Sequence, residues 1–290
     1  MKTPLILDGA MGTELKNRGV KIPLPLWSAE ANLDHPNIVK SIHEDYISSG
    51  ADIITTNTFR TTSLTYKKIN LSIGNAKIRA KNSLYRAAEC AHKAKNKNDK
   101  IKIAGSITSI EDCYEPAKYP GDSVACEIYG ETIEWIVDSG VDLILFETMG
   151  NINEIKCALS LVKHCKLPIW LSLIMQNNNV LLDGTDIDFV FSQLRPHNLD
   201  CILNNCNKIQ ISINTCERFI LNNISSWGVY PNIGKTEFDN DYLDLITDTN
   251  FKKSTKSILS KNPDVIGICC GSTPRHLKSL KKLINIRLYQ

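Results

Sequence analysis

Short apolar runs alternate along this chain with longer stretches in which apolar residues recur every three or four positions, and the alternation repeats at a steady interval. The runs "LILDGAMGT", "ADIITTNTF", "KIAGSI", "DLILFET", "PIWLSLIM", "DCILNNC", "WGVYPN" and "DVIGICC" have the length and β-branched content of buried strands. Between them stretches such as "AKIRAKNSLYRAAECAHKAKNK", "YGETIEWIVDSG", "NEIKCALSLVKHC" and "FKKSTKSILSK" carry the helical period. The stretch "HPNIVKSIHEDYISSG" shows the punctuation of a helix, with Pro36 in the first turn and Gly50 just past the end. Eight strand-and-helix repeats with no second block of different composition predict an α/β chain, a single (β/α)8 TIM barrel forming one domain over residues 1–290. A doubly wound open sheet is the competing arrangement. Against it, no strand leads into a dinucleotide-binding glycine fingerprint, and "DGAMGTE" lacks the spacing.

In a barrel of this kind the chemistry lies at the C-terminal ends of the strands. The polar residues expected there are Asp8, Asn57, Ser106, Glu147, Cys206, Asn232 and the adjacent pair Cys269 and Cys270. Strands six and eight are separated only by strand seven, so Cys206 and the pair can reach one ion. Three thiolates leave one tetrahedral position of zinc open, as in a catalytic site. Two ligands from adjacent residues need an irregular backbone, since neighbouring side chains on a strand point to opposite faces, and Gly271 permits such a turn. The spacing matches no general zinc pattern, and the same cysteines would also serve as small apolar residues closing a buried strand. The other seven cysteines, at 90, 113, 126, 157, 165, 201 and 216, are expected to be structural.

Composition narrows the partners. The 34 basic and 31 acidic residues are scattered, giving a net charge of +3 and no argument for nucleic acid or a membrane surface. No apolar run approaches the length of a membrane span, and the N-terminus meets Asp8 too soon for a signal peptide. A cytoplasmic protein with reduced thiols, acting on small molecules as a monomer, is the expectation.

The motifs "LDGAMGTEL", "PLWSAEANLDHP", "GADIITTNTF", "AGSI", "FETMGNINEI", "DGT", "NNC", "YPNIGK" and "GICCGSTPRHL", in this order, resemble the homocysteine S-methyltransferase family nearly end to end. That family includes S-methylmethionine- and betaine-dependent enzymes and the homocysteine domain of methionine synthase. The resemblance implies a barrel that binds Zn2+ through Cys206, Cys269 and Cys270, with the homocysteine sulfur in the fourth position. It implies methyl transfer to that sulfur, giving methionine. It also implies that Glu147 and Asp8 meet the homocysteine ammonium group and that backbone N–H groups near Ala10 and Met11 meet its carboxylate. Asn57 is a further substrate-side candidate, or a residue that orders its loop. Ile268 departs from the family, whose members usually carry glycine before the cysteine pair, but it removes no ligand. A sulfonium donor could rest on aromatic faces, with Trp27, Tyr114, Tyr119 and Tyr230 as candidates. The chain ends soon after helix eight, without the extension of betaine-dependent relatives or the further domains of methionine synthase. S-methylmethionine is therefore the expected donor and S-adenosylmethionine the second. The alternatives are a methyltransferase using betaine or another thiol or selenol acceptor, a non-catalytic zinc-binding or redox-sensing barrel, and an acyl-transfer enzyme with a cysteine nucleophile. The last needs a nearby histidine, and only His276 is close in sequence to Cys270.

Overall fold

A computed structural model describes residues 2–234 and 245–288. Its eight parallel strands are β1 Leu5–Ile6, β2 Ile53–Thr55, β3 Lys102–Ile107, β4 Leu143–Met149, β5 Ile169–Leu173, β6 Cys201–Lys208, β7 Trp227–Asn232 and β8 Val265–Ile266. They are hydrogen-bonded in the order β1-β8-β7-β6-β5-β4-β3-β2. The parallel bridge Leu7↔Ile53 joins the two ends and closes the barrel. Each strand is followed by a helix on the outside, so the expected TIM barrel is the observed fold.

The period of two along each strand divides the apolar residues into two cores. Leu7, Ile53, Ala104, Leu143, Leu145, Trp170, Cys201, Leu203, Tyr230 and Val265 fill the barrel interior. The alternate residues, Ile144, Phe146, Ile202 and Val229 among them, pack against the helices. The parity of 143 and 145 carries Glu147 to the inner face at the upper end of β4.

Register is set at the opposite end by four aspartates, one just before each even-numbered strand. Asp52, Asp142, Asp200 and Asp264 accept the backbone N–H of Ile6, Ile103, Ile169 and Trp227 at 2.8, 2.8, 2.9 and 3.1 Å. Each carboxylate ties an even strand to its odd neighbour and satisfies a buried donor. The sequence marks these positions as "GADI", "GVDL", "NLDC" and "NPDV".

Two expectations change in detail. The eighth strand stops at Ile266 rather than at the cysteine pair, because the backbone leaves regular geometry before it reaches them. The fifth stops at Leu173, and Met175–Asn177 instead pairs with Val180–Leu181 as a small antiparallel ribbon. Short helices Met11–Asn17, Ala31–Asp34 and Ser63–Lys67 decorate the first two loops above the barrel. Lys235, the last residue of "YPNIGK", lies outside the described residues.

Candidate active site

Alternation alone would turn two of the three candidate cysteines away from the barrel axis. Cys201 and Leu203 face inward, so Cys206 belongs by parity to the helix side of β6. It is brought into the mouth by a left-handed backbone, φ 53°, at a register shift between Asn205 and Lys208. Cys269 has inward parity with Val265, and Cys270 does not. The chain turns there on Gly271, whose φ of 82° suits glycine. The turn is held by bonds from Cys269 N to Pro231 O at 2.8 Å, Ile233 N to Cys270 O at 3.0 Å and Gly271 N to Thr13 Oγ1 at 3.1 Å. Ile268, the departure from the family pattern, is buried in the outer core, with 3% of its surface exposed, and the turn forms around it.

These distortions bring the three sulfurs within 4.8 Å of one another. Cys206 Sγ is 3.3 Å from Cys270 Sγ, and Cys270 Sγ is 3.9 Å from Cys269 Sγ. Sulfurs sharing a tetrahedral ion at about 2.3 Å stand about 3.8 Å apart, so the donor set fits zinc. The Cys206 thiol lies well below the usual range, because the Cys269 and Cys270 thiols and the Tyr114 hydroxyl hydrogen-bond to its thiolate. The Tyr114 hydroxyl is 3.0 Å from Cys206 Sγ.

The trio lines a cavity whose other walls include Asp8, Met11, Trp27, Phe59, Tyr114 and Glu147. Ser106 Oγ donates to Glu147 Oε1, and Tyr230 OH donates to Oε2 at 3.4 Å. Burial pushes Glu147 up to about 7, against the pull of Ser106. Burial likewise raises Asp8 to about 8, with the Glu147 charge adding to it. Asp8 does not cap the following turn. Its oxygens accept Thr55 N at 2.8 Å and Thr55 Oγ1 at 2.9 Å. Two acids held partly protonated beside each other are poised for a cation.

The remaining candidates divide. Ala10 N donates to Ser272 Oγ at 3.0 Å, so this amide is already occupied. Met11 opens the helix Met11–Asn17, in whose first turn the N–H groups lack intrahelical acceptors. Gly12 is required by packing, since a Cβ there would lie 2.9 Å from Trp27 Nε1. Asn57 lines the cavity, but its Nδ2 donates to Ser28 O at 2.9 Å and Asn32 Oδ1 at 2.8 Å, and its Oδ1 accepts Ser28 Oγ at 2.6 Å. The side chain is spent on ordering its loop. Of the aromatic candidates, Trp27, Tyr114 and Tyr230 line the cavity, whereas Tyr119 donates to Asp122 Oδ1 at 2.5 Å outside it.

Asn205 is absent from the candidates drawn from sequence. Its Oδ1 accepts Thr148 N at 3.0 Å and Ser172 Oγ at 2.7 Å, and its Nδ2 donates to Thr148 Oγ1 at 2.8 Å. Thr148 is itself left-handed, φ 59°, at a register shift in β4. Asn205 therefore clamps the residue after Glu147 from the position before Cys206. The only sequence signal was its place in "NNC". Cys113, expected to be structural, also lines the cavity beside Tyr114.

Comparison with known proteins places the chain. The family model described as homocysteine S-methyltransferase matches residues 5–284. Selenocysteine methyltransferase of Astragalus bisulcatus is 27% identical, with 98% of this chain and 97% of that protein aligned. Homocysteine S-methyltransferase of Escherichia coli strain K12 is 26% identical, over 96% of this chain and 94% of that protein. The crystal structure of the E. coli homocysteine methyltransferase MmuM in its metallated form shares the fold, with a TM-score of 0.84 at 23% identity over 97% of this chain and 96% of that one. With nearly its whole length matched by the family model, the chain belongs to the homocysteine S-methyltransferase family.

Proposed function

We propose that this protein transfers a methyl group from a sulfonium donor, S-methylmethionine or S-adenosylmethionine, to the thiol of homocysteine, giving methionine, with Zn2+ held by Cys206, Cys269 and Cys270. The observation that carries this reading is the convergence of three sulfurs on a cavity that also holds two buried acids, Asp8 and Glu147. Bound there, zinc would keep the acceptor sulfur as thiolate at neutral pH, where a free thiol of pKa about 8.5 is mostly protonated.

The chain's own groups supply the rest. Glu147 and Asp8 take the homocysteine ammonium group and become fully ionised as they do so. Met11 N–H and its neighbours in the first helical turn take the carboxylate. Held at both ends, homocysteine presents its sulfur in one direction, so the bimolecular reaction becomes a positioned one. Trp27 and Phe59 wall the cavity with apolar surface and exclude water where thiolate and sulfonium charges cancel as the methyl group passes between two sulfurs. Tyr114 donates to Cys206 whenever that sulfur is a thiolate, which orients this ligand and moderates its charge.

The test is a donor screen. Reduced, zinc-supplemented protein is given homocysteine with S-methylmethionine, S-adenosylmethionine or betaine, and methionine is measured. Turnover with a sulfonium donor is expected, and no methionine from any donor would overturn the reading. A parallel arm with selenocysteine as acceptor is warranted, because 27% identity to a selenocysteine methyltransferase and 26% to a homocysteine enzyme do not separate the two acceptors.

A further inference from the structure

Away from the barrel mouth, Cys126 and Cys157 face each other across two neighbouring helices, Asp122–Asp138 and Ile152–Leu161, with their sulfurs 2.9 Å apart. A small open pocket beside them is lined by Asp122, Asn153, Lys156 and Ser160 as well as by both thiols. The separation discriminates between the two uses of a thiol pair. Thiolates sharing a tetrahedral ion stand about 3.8 Å apart, as the sulfurs at the mouth nearly do, whereas a disulfide brings them to about 2.05 Å. At 2.9 Å this pair is too close to share an ion and needs only a short closure to bond. The two helices also meet at the loop that carries Tyr114. Helix Ile152–Leu161 anchors that loop from Glu154, whose Oε1 accepts Ile110 N at 2.7 Å, and its N-cap Asn151 donates to Pro116 O at 3.0 Å. Cys157 lies one turn beyond Glu154. The loop runs directly into helix Asp122–Asp138, in whose first two turns Cys126 sits.

We propose that Cys126 and Cys157 form a reversible disulfide site, oxidised by a low-molecular-weight disulfide, which staples the helix after the Tyr114 loop to the helix that anchors that loop. Cys126 is the more exposed of the two, and burial pushes Cys157 up to about 12, so Cys126 attacks first. Its thiolate bonds to one sulfur of the reagent RSSR, the S–S bond breaks and RS− leaves. Cys157 then gives up its proton to the released thiolate and attacks Cys126 Sγ, displacing the second RS−, which takes up the proton lost by Cys126. Two protein thiols are oxidised to one disulfide, and one RSSR is reduced to two RSH.

The sequence makes the test direct. Trypsin cuts after Lys118, Lys156 and Lys163, placing Cys126 in peptide 119–156 and Cys157 in peptide 157–163, with no other cysteine in either. Reduced, zinc-supplemented protein is equilibrated in glutathione buffers of rising disulfide content, quenched with acid, alkylated and digested. The expected result is the joint disappearance of both alkylated peptides and the appearance of their cross-linked product, reversed by excess glutathione. If both peptides stay alkylated at every ratio, the site is refuted. In Cys157→Ser protein glutathione is expected to remain trapped on Cys126, and its absence would overturn Cys126 as the attacking thiol. Oxidation of the parent is also expected to slow amide hydrogen exchange across residues 110–116. Unchanged exchange there would overturn the staple.

Discussion

Replacing Glu147 with Gln separates two opposing consequences of one buried carboxylate. The amide keeps the shape of the side chain and can still accept from Ser106, but it carries no charge for an ammonium group. A hydrogen bond to a charged partner is worth about 1.5–3 kcal/mol. Homocysteine binding to Glu147→Gln should therefore weaken by about 10- to 150-fold. A homocysteine analogue lacking the amine should bind variant and parent alike, and zinc content should not change. Folding should move the other way. The folded pKa of Glu147 is raised by burial from 4.5 to about 7, so the folded state holds a proton that the unfolded chain has released. With the folded value above the unfolded one, this group leaves stability intact below about pH 4.5 and erodes it as pH rises to about 7. At about 1.4 kcal/mol per unit the erosion levels off at about 3.5 kcal/mol above neutrality. Gln is neutral throughout and escapes it. Urea denaturation without substrate should thus find variant and parent equal at pH 4 and the variant more stable at pH 8. Calorimetric titration with homocysteine should find the variant the weaker binder. Equal stability at both pH values would show that the carboxylate is not ionised against burial. Unchanged affinity for homocysteine, or loss of zinc, would remove Glu147 from the amino-acid pocket.

Cys206→Ser and Cys270→Ser proteins should each lose most of the metal that the reduced parent binds, and full zinc retention in both by elemental analysis would refute the ligand assignment. Tyr114→Phe should weaken zinc binding by about 10- to 100-fold in a chelator competition, the usual effect of losing a partner to a metal ligand. In the cobalt-substituted protein the same change should move the thiolate charge-transfer band to longer wavelength, because an unbonded thiolate gives up its electrons more easily. An unmoved band would make Tyr114 a packing residue only. Homocysteine affinity should rise with pH between 6 and 8, as Glu147 and Asp8, raised to about 7 and about 8, become free to ionise. A flat profile would contradict their role. Asp142→Ala at the lower end should cost about 1.5–3 kcal/mol of stability, through the lost bond to Ile103 N–H and the nearby Lys95, and leave zinc content unchanged.

What the sequence reveals of this site depends on whether a residue obeys the strand's own period. Glu147 does. It follows Leu143 and Leu145 on the inner face of β4, so its place in the mouth can be read from an apolar run that ends in an acid. The four register aspartates leave a visible mark too, each standing just before an even strand. Cys206 and Cys270 are legible from their places at strand ends and from the family's motifs, but not from the strand's period, because alternation sends both the wrong way. Each is recovered by a local departure that no pattern of apolar residues encodes: the left-handed backbone of Cys206 and the turn at Gly271. A left-handed non-glycine residue is unfavourable and needs bonds that fix it. Asn205 provides such bonds between β4 and β6, holding Thr148 on one side while standing next to Cys206 on the other. These bonds join strands more than 50 residues apart, which is why the signal is missing from either stretch alone. The same bonds tie the residue after Glu147 to the residue before Cys206, so one buried amide couples the two stretches of backbone that carry the acid and the first thiol of the proposed site.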